Sequence, residues 1–130
     1  MTGSTPKAAL AAIRKRALSY PETVEDHPWG DRVIKVRGKI FVFLGAGKDG
    51  GVGMTAKLPA THALALTLKH VAPTGYGLGN AGWVTVQLLK GERIDLGLLM
   101  DWVDESYRAV APRTLVKALD ESSARPAARR

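Results

Sequence analysis

The stretch Arg32–Leu44, RVIKVRGKIFVFL, sets the fold class. Two runs of β-branched and aromatic residues flank Arg37-Gly38, the pattern of a β-hairpin closed by a tight turn. With a two-residue turn, Ile34, Val36, Phe41 and Phe43 share one sheet face and Val33, Lys35, Ile40 and Val42 the other. That places a cation away from the stronger apolar side. The assignment rests on register, since a slip of one residue moves every side chain to the opposite face.

Upstream, Thr5 and Pro6 form a helix start, a hydroxyl N-cap followed by proline at the first helical position. This helix is expected to run to about Ser19, with Leu10, Ile13, Ala17 and Leu18 as its apolar stripe, and to stop before Pro21. The segment PETVEDHPWGD reads as a polar loop. Downstream, VGMTAKL (residues 52–58) reads as a third strand. Pro59 opens a second helix through Ala60 to about Val71, closed by Pro73. A strand at Trp83–Leu88 follows. Asp95 caps a third helix in which Leu96, Leu99, Met100, Val103, Tyr107 and Val110 form the buried stripe. There Asp104 can pair with Arg108 one turn on. RTLVKALD (residues 113–120) makes a short last helix. This order lacks the strict strand–helix alternation of a parallel sheet. It suits an α+β two-layer sandwich, an antiparallel sheet with helices on one face.

With 130 residues, the chain is long enough for one domain with its own core. We assign residues 1–120 to that domain and residues 121–130, ESSARPAARR, to a disordered basic tail. A hydrophobic fraction of 45% against 24% charged residues is globular in balance, which argues against wholesale disorder. No cysteine is present, excluding disulfides, zinc–thiolate sites and a thiol nucleophile. Basic residues interrupt the N-terminal segment where a signal peptide needs an apolar core, and no apolar run approaches the ~20 residues of a membrane span. The expectation is a cytoplasmic protein without a membrane partner.

The formal net charge is +7, and its distribution is uneven. Residues 1–20 carry four basic groups and no acid, and residues 32–57 carry six against Asp49 alone. Residues 95–120 hold five acids and three bases. Such a field attracts polyanions, nucleic acid first among them.

Two glycine-rich stretches match the spacing G-x-G-x-x-G of a dinucleotide loop: Gly45, Gly47 and Gly50, and Gly77, Gly79 and Gly82. That chemistry needs a helix whose N-terminal amides receive the phosphates. After Gly82 comes WVTVQLL and after Gly50 comes GVGMTAK, both strand-forming. No nucleotide site and no cofactor are expected. The histidines His27, His62 and His70 show no metal-ligand spacing. Glu25, Asp26, His27 and Asp31 are close enough in sequence for an acid/base cluster, against which stands a reading as loop hydrogen bonds. No catalytic constellation is evident, so the expectation is a non-enzymatic protein.

At EDHPWGDRVIKVRGKIFVFL the chain resembles the MmcQ/YjbR family of small bacterial proteins, also described as predicted double-wing DNA-binding proteins. The resemblance rests on His27, Pro28, Trp29, Gly30, Asp31, Lys35, Gly38, Lys39 and Phe41. It continues through Pro73, Gly75, Tyr76, Gly77, Leu78, Gly79, Trp83, Val84 and Val86, then Ser106 and Tyr107. Many members carry a Met-Asn-Lys type sequence before the tryptophan. Here it is GLGNAGW, with Asn80 and no lysine. The resemblance implies a CyaY-like (frataxin-like) fold and a DNA-binding role.

The functional expectation is therefore a DNA-binding module that lays a basic sheet and hairpin on phosphates. Lys35, Arg37, Lys39 and Lys57 neutralise backbone charge, with Arg32, Lys90 and Arg93 at the margin. Tyr76 or Trp83 is a candidate to stack on an unpaired base. The alternative is small-molecule binding without turnover, for instance of an antibiotic, in a pocket of His27, Trp29, Tyr76 and Trp83. An iron-handling role borrowed from the fold needs an acidic surface, which the acid-free first helix does not offer. A monomer is favoured.

Overall fold

The computed structural model describes residues 5–27, 32–46, 52–74, 81–89 and 94–123. Helix α1 spans Pro6–Leu18, and the Thr5 hydroxyl accepts a hydrogen bond from the Ala8 amide at 3.0 Å. Its innermost residues are Ala9, Ile13 and Ala17, with Leu10 and Leu18 half-buried beside them. Two of the three inward positions are alanine, so the helix axis can approach its neighbours closely and the leucines pack at the flanks.

Strand β1, Thr23–Asp26, lies in what the sequence presents as a polar loop. It pairs antiparallel with β2, Arg32–Val36, in register Thr23↔Val36 to Asp26↔Val33. Composition hides it because it is an edge strand, and charged residues on an edge discourage pairing with a further chain. Strand β3, Lys39–Ala46, follows across the expected two-residue turn. Arg37 and Gly38 have φ of 50° and 81°, the positive pair that a type I′ hairpin turn requires.

The facing differs from strict alternation. Ile34 pairs with Val42 but Lys35 pairs with Ile40, leaving Phe41 as an extra residue. A bulge of this kind turns two consecutive side chains to one side. Phe41 and Val42 both enter the core, while Phe43 moves to the opposite face, across from Val33. The expectation that Phe41 and Phe43 share a face, and that Val42 faces away from them, is corrected accordingly.

Strand β4 is Val52–Lys57, and β6 is Trp83–Leu88. Between them the expected long helix shrinks to α2, His62–Ala65. The chain then turns, with the Thr67 hydroxyl donating to the Leu64 carbonyl at 2.6 Å and His70 at φ 66°. Val71–Pro73 becomes strand β5, paired with β6. The open edge of β6 offers backbone partners that a continued helix would leave unused. The sheet has six strands in the order β1-β2-β3-β4-β6-β5, and every neighbouring pair is antiparallel.

Helix α3 is Leu96–Val110, with the Asp95 side chain accepting from the Leu98 amide at 3.1 Å. It buries Leu99, Trp102, Val103, Ser106 and Tyr107. Trp102 and Ser106 thus join the expected stripe, while Leu96, Met100 and Val110 sit half-buried at its margin. Helix α4, Arg113–Ser123, extends three residues past the expected end of the domain, and residues 124–130 of the expected tail lie outside the described residues. Arg108 pairs with Asp104 one turn back on α3, at 2.7 Å, and joins α3 to α4 through Asp120.

The buried apolar residues of all four helices belong to one cluster with Ile34, Val36, Val42, Leu44, Met54, Ala56, Val84 and Val86 of the sheet. The described helices therefore cover one sheet face, and the protein is an α+β sandwich of two layers. The only described part of the second glycine match is Gly82, at φ 91°. Its carbonyl accepts from the Leu58 amide at 2.8 Å, and a Cβ there would stand 3.1 Å from the Leu58 oxygen. This glycine serves strand entry and close backbone approach.

Candidate nucleic-acid interface

The face of the sheet turned away from the helices is built by alternation. Because Val84, Val86 and Leu88 point to the core, Trp83, Thr85 and Gln87 point the other way. Register then places Lys57 beside Trp83 and Thr55 beside Thr85. Phe43 lies opposite Thr55, and its ring meets Trp83 edge to face, with centroids 5.7 Å apart and planes at 71°. The Thr85 hydroxyl lies 2.8 Å from that of Thr55 and 3.0 Å from that of Thr74. Trp83, Phe43 and Lys57 are each half-buried. The result is an aromatic pair with one lysine at its side and a row of threonine hydroxyls.

The basic residues expected to contact phosphate do not form one free patch. Lys35 donates to Asp26 at 2.8 Å, and Arg37 grips Glu22 with two nitrogens. Arg32 lies 3.1 Å from Glu25, which also takes Arg14 at 2.6 Å and His27 at 2.9 Å. Among the described residues, Lys39 and Lys57 form no ion pair. Lys90 and Arg93 lie outside the described residues. The carboxylates that occupy these cations sit on β1 and just before it, which a loop reading of that segment could not place opposite β2. Of the proposed acid/base cluster, Asp26 accepts from the His27 amide at 2.8 Å and Glu25 serves as an ion-pair hub, while Asp31 lies outside the described residues.

The hub has a consequence for stability. Burial would raise the Glu25 carboxyl, but Arg14, Arg32 and His27 together hold it below its ordinary 4.5. A carboxylate lowered in the folded state stabilises above its unfolded pKa, and that contribution is lost as pH falls through the folded value. Glu25→Gln is expected to cost about 1 kcal/mol at neutral pH, the upper end for a partly exposed pair. Urea unfolding of both proteins across pH is expected to show that gap closing below about pH 4. A gap that persists undiminished at low pH would assign the effect to packing.

A protein-family model described as YjbR matches residues 18–109. This chain belongs to the YjbR family. Among solved structures, a Deinococcus radiodurans protein with a DUF419 domain superposes with a TM-score of 0.68 at 22% identity, over 89% of this chain and 91% of that one. A Pseudomonas syringae protein superposes with a TM-score of 0.60 at 17% identity, over 77% of this chain and 96% of the other. Both show likeness of fold. A search of curated proteins found no match. Among the described residues, no helix is long and apolar enough to cross a membrane.

Several of the residues that carry the family resemblance hold the scaffold. Gly38 makes the hairpin turn, Phe41 fills the bulge, and the Tyr107 hydroxyl donates to the Pro21 carbonyl at 2.9 Å. The Ser106 hydroxyl donates to the Phe41 carbonyl at 2.5 Å and accepts from the Lys57 amide at 2.9 Å. Of the expected pocket, Trp29 and Tyr76 lie outside the described residues. His27 follows β1 and Trp83 opens β6, four strand spacings or about 19 Å apart across the sheet. These two do not converge on one hollow. Sequence reasoning missed Phe43 as a neighbour of Trp83, because unbroken alternation sends it into the core.

Proposed function

We propose that this YjbR-family chain binds single-stranded DNA on the helix-free sheet face, without turnover and as a cytoplasmic monomer. The observation that carries the reading is the Phe43–Trp83 pair beside Lys57. An exposed edge of such a pair offers a stacking surface to an unpaired base, and an adjacent ammonium receives its phosphate. Thr55, Thr74 and Thr85 supply hydroxyls for the sugar–phosphate backbone. Lys35 lies on the same face and reaches phosphate from its pairing with Asp26. We read the architecture as CyaY-like, with the β2–β3 hairpin as one wing of a double-wing surface.

Because most cations of the sheet are already paired, the salt dependence should be shallow. For a labelled oligothymidylate, log K against log salt is expected to slope by about −1 to −2, as for two or three neutralised phosphates. Trp83→Ala should weaken binding about tenfold and Trp83→Phe much less, from the ~1–3 kcal/mol of base stacking. Lys57→Ala should flatten the slope. Equal binding of duplex and single strands, or affinity undetectable at about 20 mM salt, would overturn the reading.

A further inference from the structure

The interruption of α2 after Ala65 leaves a wedge between its stub, edge strand β5 and the first half of α3. Two hollows occupy it. One of about 260 Å3 is lined by residues that include Leu68, Val86, Leu98 and Trp102. The other, about 180 Å3, lies beside Leu64 and Ala65 and shares Leu68, Leu98 and Trp102 with the first. Together they make one apolar cleft. Leu64 is 71% exposed and Leu68 41%, two of the three large apolar side chains so exposed among the described residues.

Its rim is acidic. Asp95 lines the first hollow, and Asp101 and Glu105 the second. Glu105 is committed to the backbone, accepting from the Ala60 and Thr61 amides at 2.8 and 3.1 Å. Asp95 and Asp101 are exposed and form no ion pair among the described residues. Among the described residues of the lining, Lys69 is the one lysine or arginine, and His70 stands beside it. Asp95 caps α3 through one oxygen only, so its charge and that of Asp101 face one ammonium among the described lining residues, and within a screening length of about 8–10 Å local charges outweigh distant ones.

We propose that this cleft binds a small amphipathic organic cation, its apolar body against Leu68, Leu98 and Trp102 and its ammonium at the rim that carries Asp95 at one end and Asp101 at the other. Two exposed leucines are far short of the roughly 800 Å2 per partner of a stable protein interface. The two hollows together fall at the small end of the roughly 300–1,000 Å3 of pockets for drug-sized ligands, which suits a body of about a dozen non-hydrogen atoms. The Trp102 indole adds attraction for a cation near its ring. This site lies on the helix side of the sheet, so failure of DNA binding leaves it standing, and the converse.

The test uses three ligands of one shape: phenylbutylamine, phenylbutanol and phenylbutyrate, titrated into the full chain labelled with nitrogen-15. The Trp102 indole N–H signal, assigned with Trp102→Phe, reports the cleft. The amine is expected to bind with a Kd of about 1 mM, fitting a ligand of its size, with the alcohol weaker and the carboxylate weakest. The double variant Asp95→Asn, Asp101→Asn keeps a capping side chain at position 95 and should weaken the amine about fivefold, to the level of the alcohol. Leu68→Ser, an exposed substitution, should weaken all three ligands. No shift with amine up to about 10 mM would overturn the proposal. So would carboxylate binding as tightly as amine, or a preference for amine unchanged in the double variant.

Discussion

Phe41→Ala is expected to lower the unfolding free energy by about 4 kcal/mol, and Phe43→Ala by about 1–2 kcal/mol, although the two differ by only two positions in one strand. Phe41 is fully buried. Its ring meets Tyr107 at 5.3 Å and 80° and Tyr20 at 6.4 Å and 81°, and those tyrosines stack on each other at 4.6 Å. Removing it empties the centre of a three-ring cluster that ties the turn after α1 to β3 and α3, and edge-to-face pairs of this kind add to area burial. Phe43 is half-buried on the opposite face and loses chiefly its contact with Trp83. In a domain of ordinary stability, 4 kcal/mol is a large share of the total and lowers Tm by about 15 °C. Urea titration of both variants decides the matter. Equal costs would mean that the two rings share a face, and the bulge between Ile34 and Lys35 would be wrong.

That bulge also marks the boundary of what the sequence makes legible. Thr5-Pro6, Asp95 and Arg37-Gly38 are local signals, each acting within a few residues of chain, and each sits where its chemistry predicts. The hairpin and the strand at Trp83–Leu88 announce themselves by β-branched and aromatic runs. The facing of Phe43 depends on one extra residue in a ladder, which alternation cannot detect. Strand β1 depends on having β2 beside it, because TVED has too little apolar character to be a strand alone. The fate of residues 66–73 is likewise tertiary: their helical spacing is real, and the open edge of β6 overrides it. The candidate interface shows the same division. Trp83 and Lys57 can be singled out by type, but their adjacency and the partner Phe43 come from register. The cations of β2 and of its turn can be counted in the sequence, whereas their neutralisation by Glu22, Glu25 and Asp26 requires the pairing of β1. The cleft at Leu68 and Trp102 has no sequence signature, since it exists because a helix stops early.

Ser106→Ala is expected to cost about 3 kcal/mol, several times the usual loss for so small a change. Val42↔Ala56 is the last paired position of β3 and β4 on the hairpin side, because the bulged Phe41 turns the strand away. The next ladder bond would join the Phe41 carbonyl to the Lys57 amide. Ser106 supplies it from α3, its fully buried hydroxyl donating to the first and accepting from the second. Alanine fits the space but leaves both backbone groups unpaired, each worth about 1–3 kcal/mol when buried. Tyr107→Phe, which removes only the hydroxyl donating to Pro21, is the internal comparison at about 1 kcal/mol. Hydrogen exchange locates the effect: the Lys57 amide should exchange faster in Ser106→Ala relative to that of Thr55. A cost below about 0.5 kcal/mol would mean that water takes over the bridge, leaving Ser106 no special part in the fold. If the larger cost is found, it ties the two faces of the protein together. The helix-side hydroxyl fixes the backbone of Lys57, whose cross-strand neighbour is Trp83, so loosening it should weaken oligothymidylate binding about threefold at temperatures where the variant is fully folded.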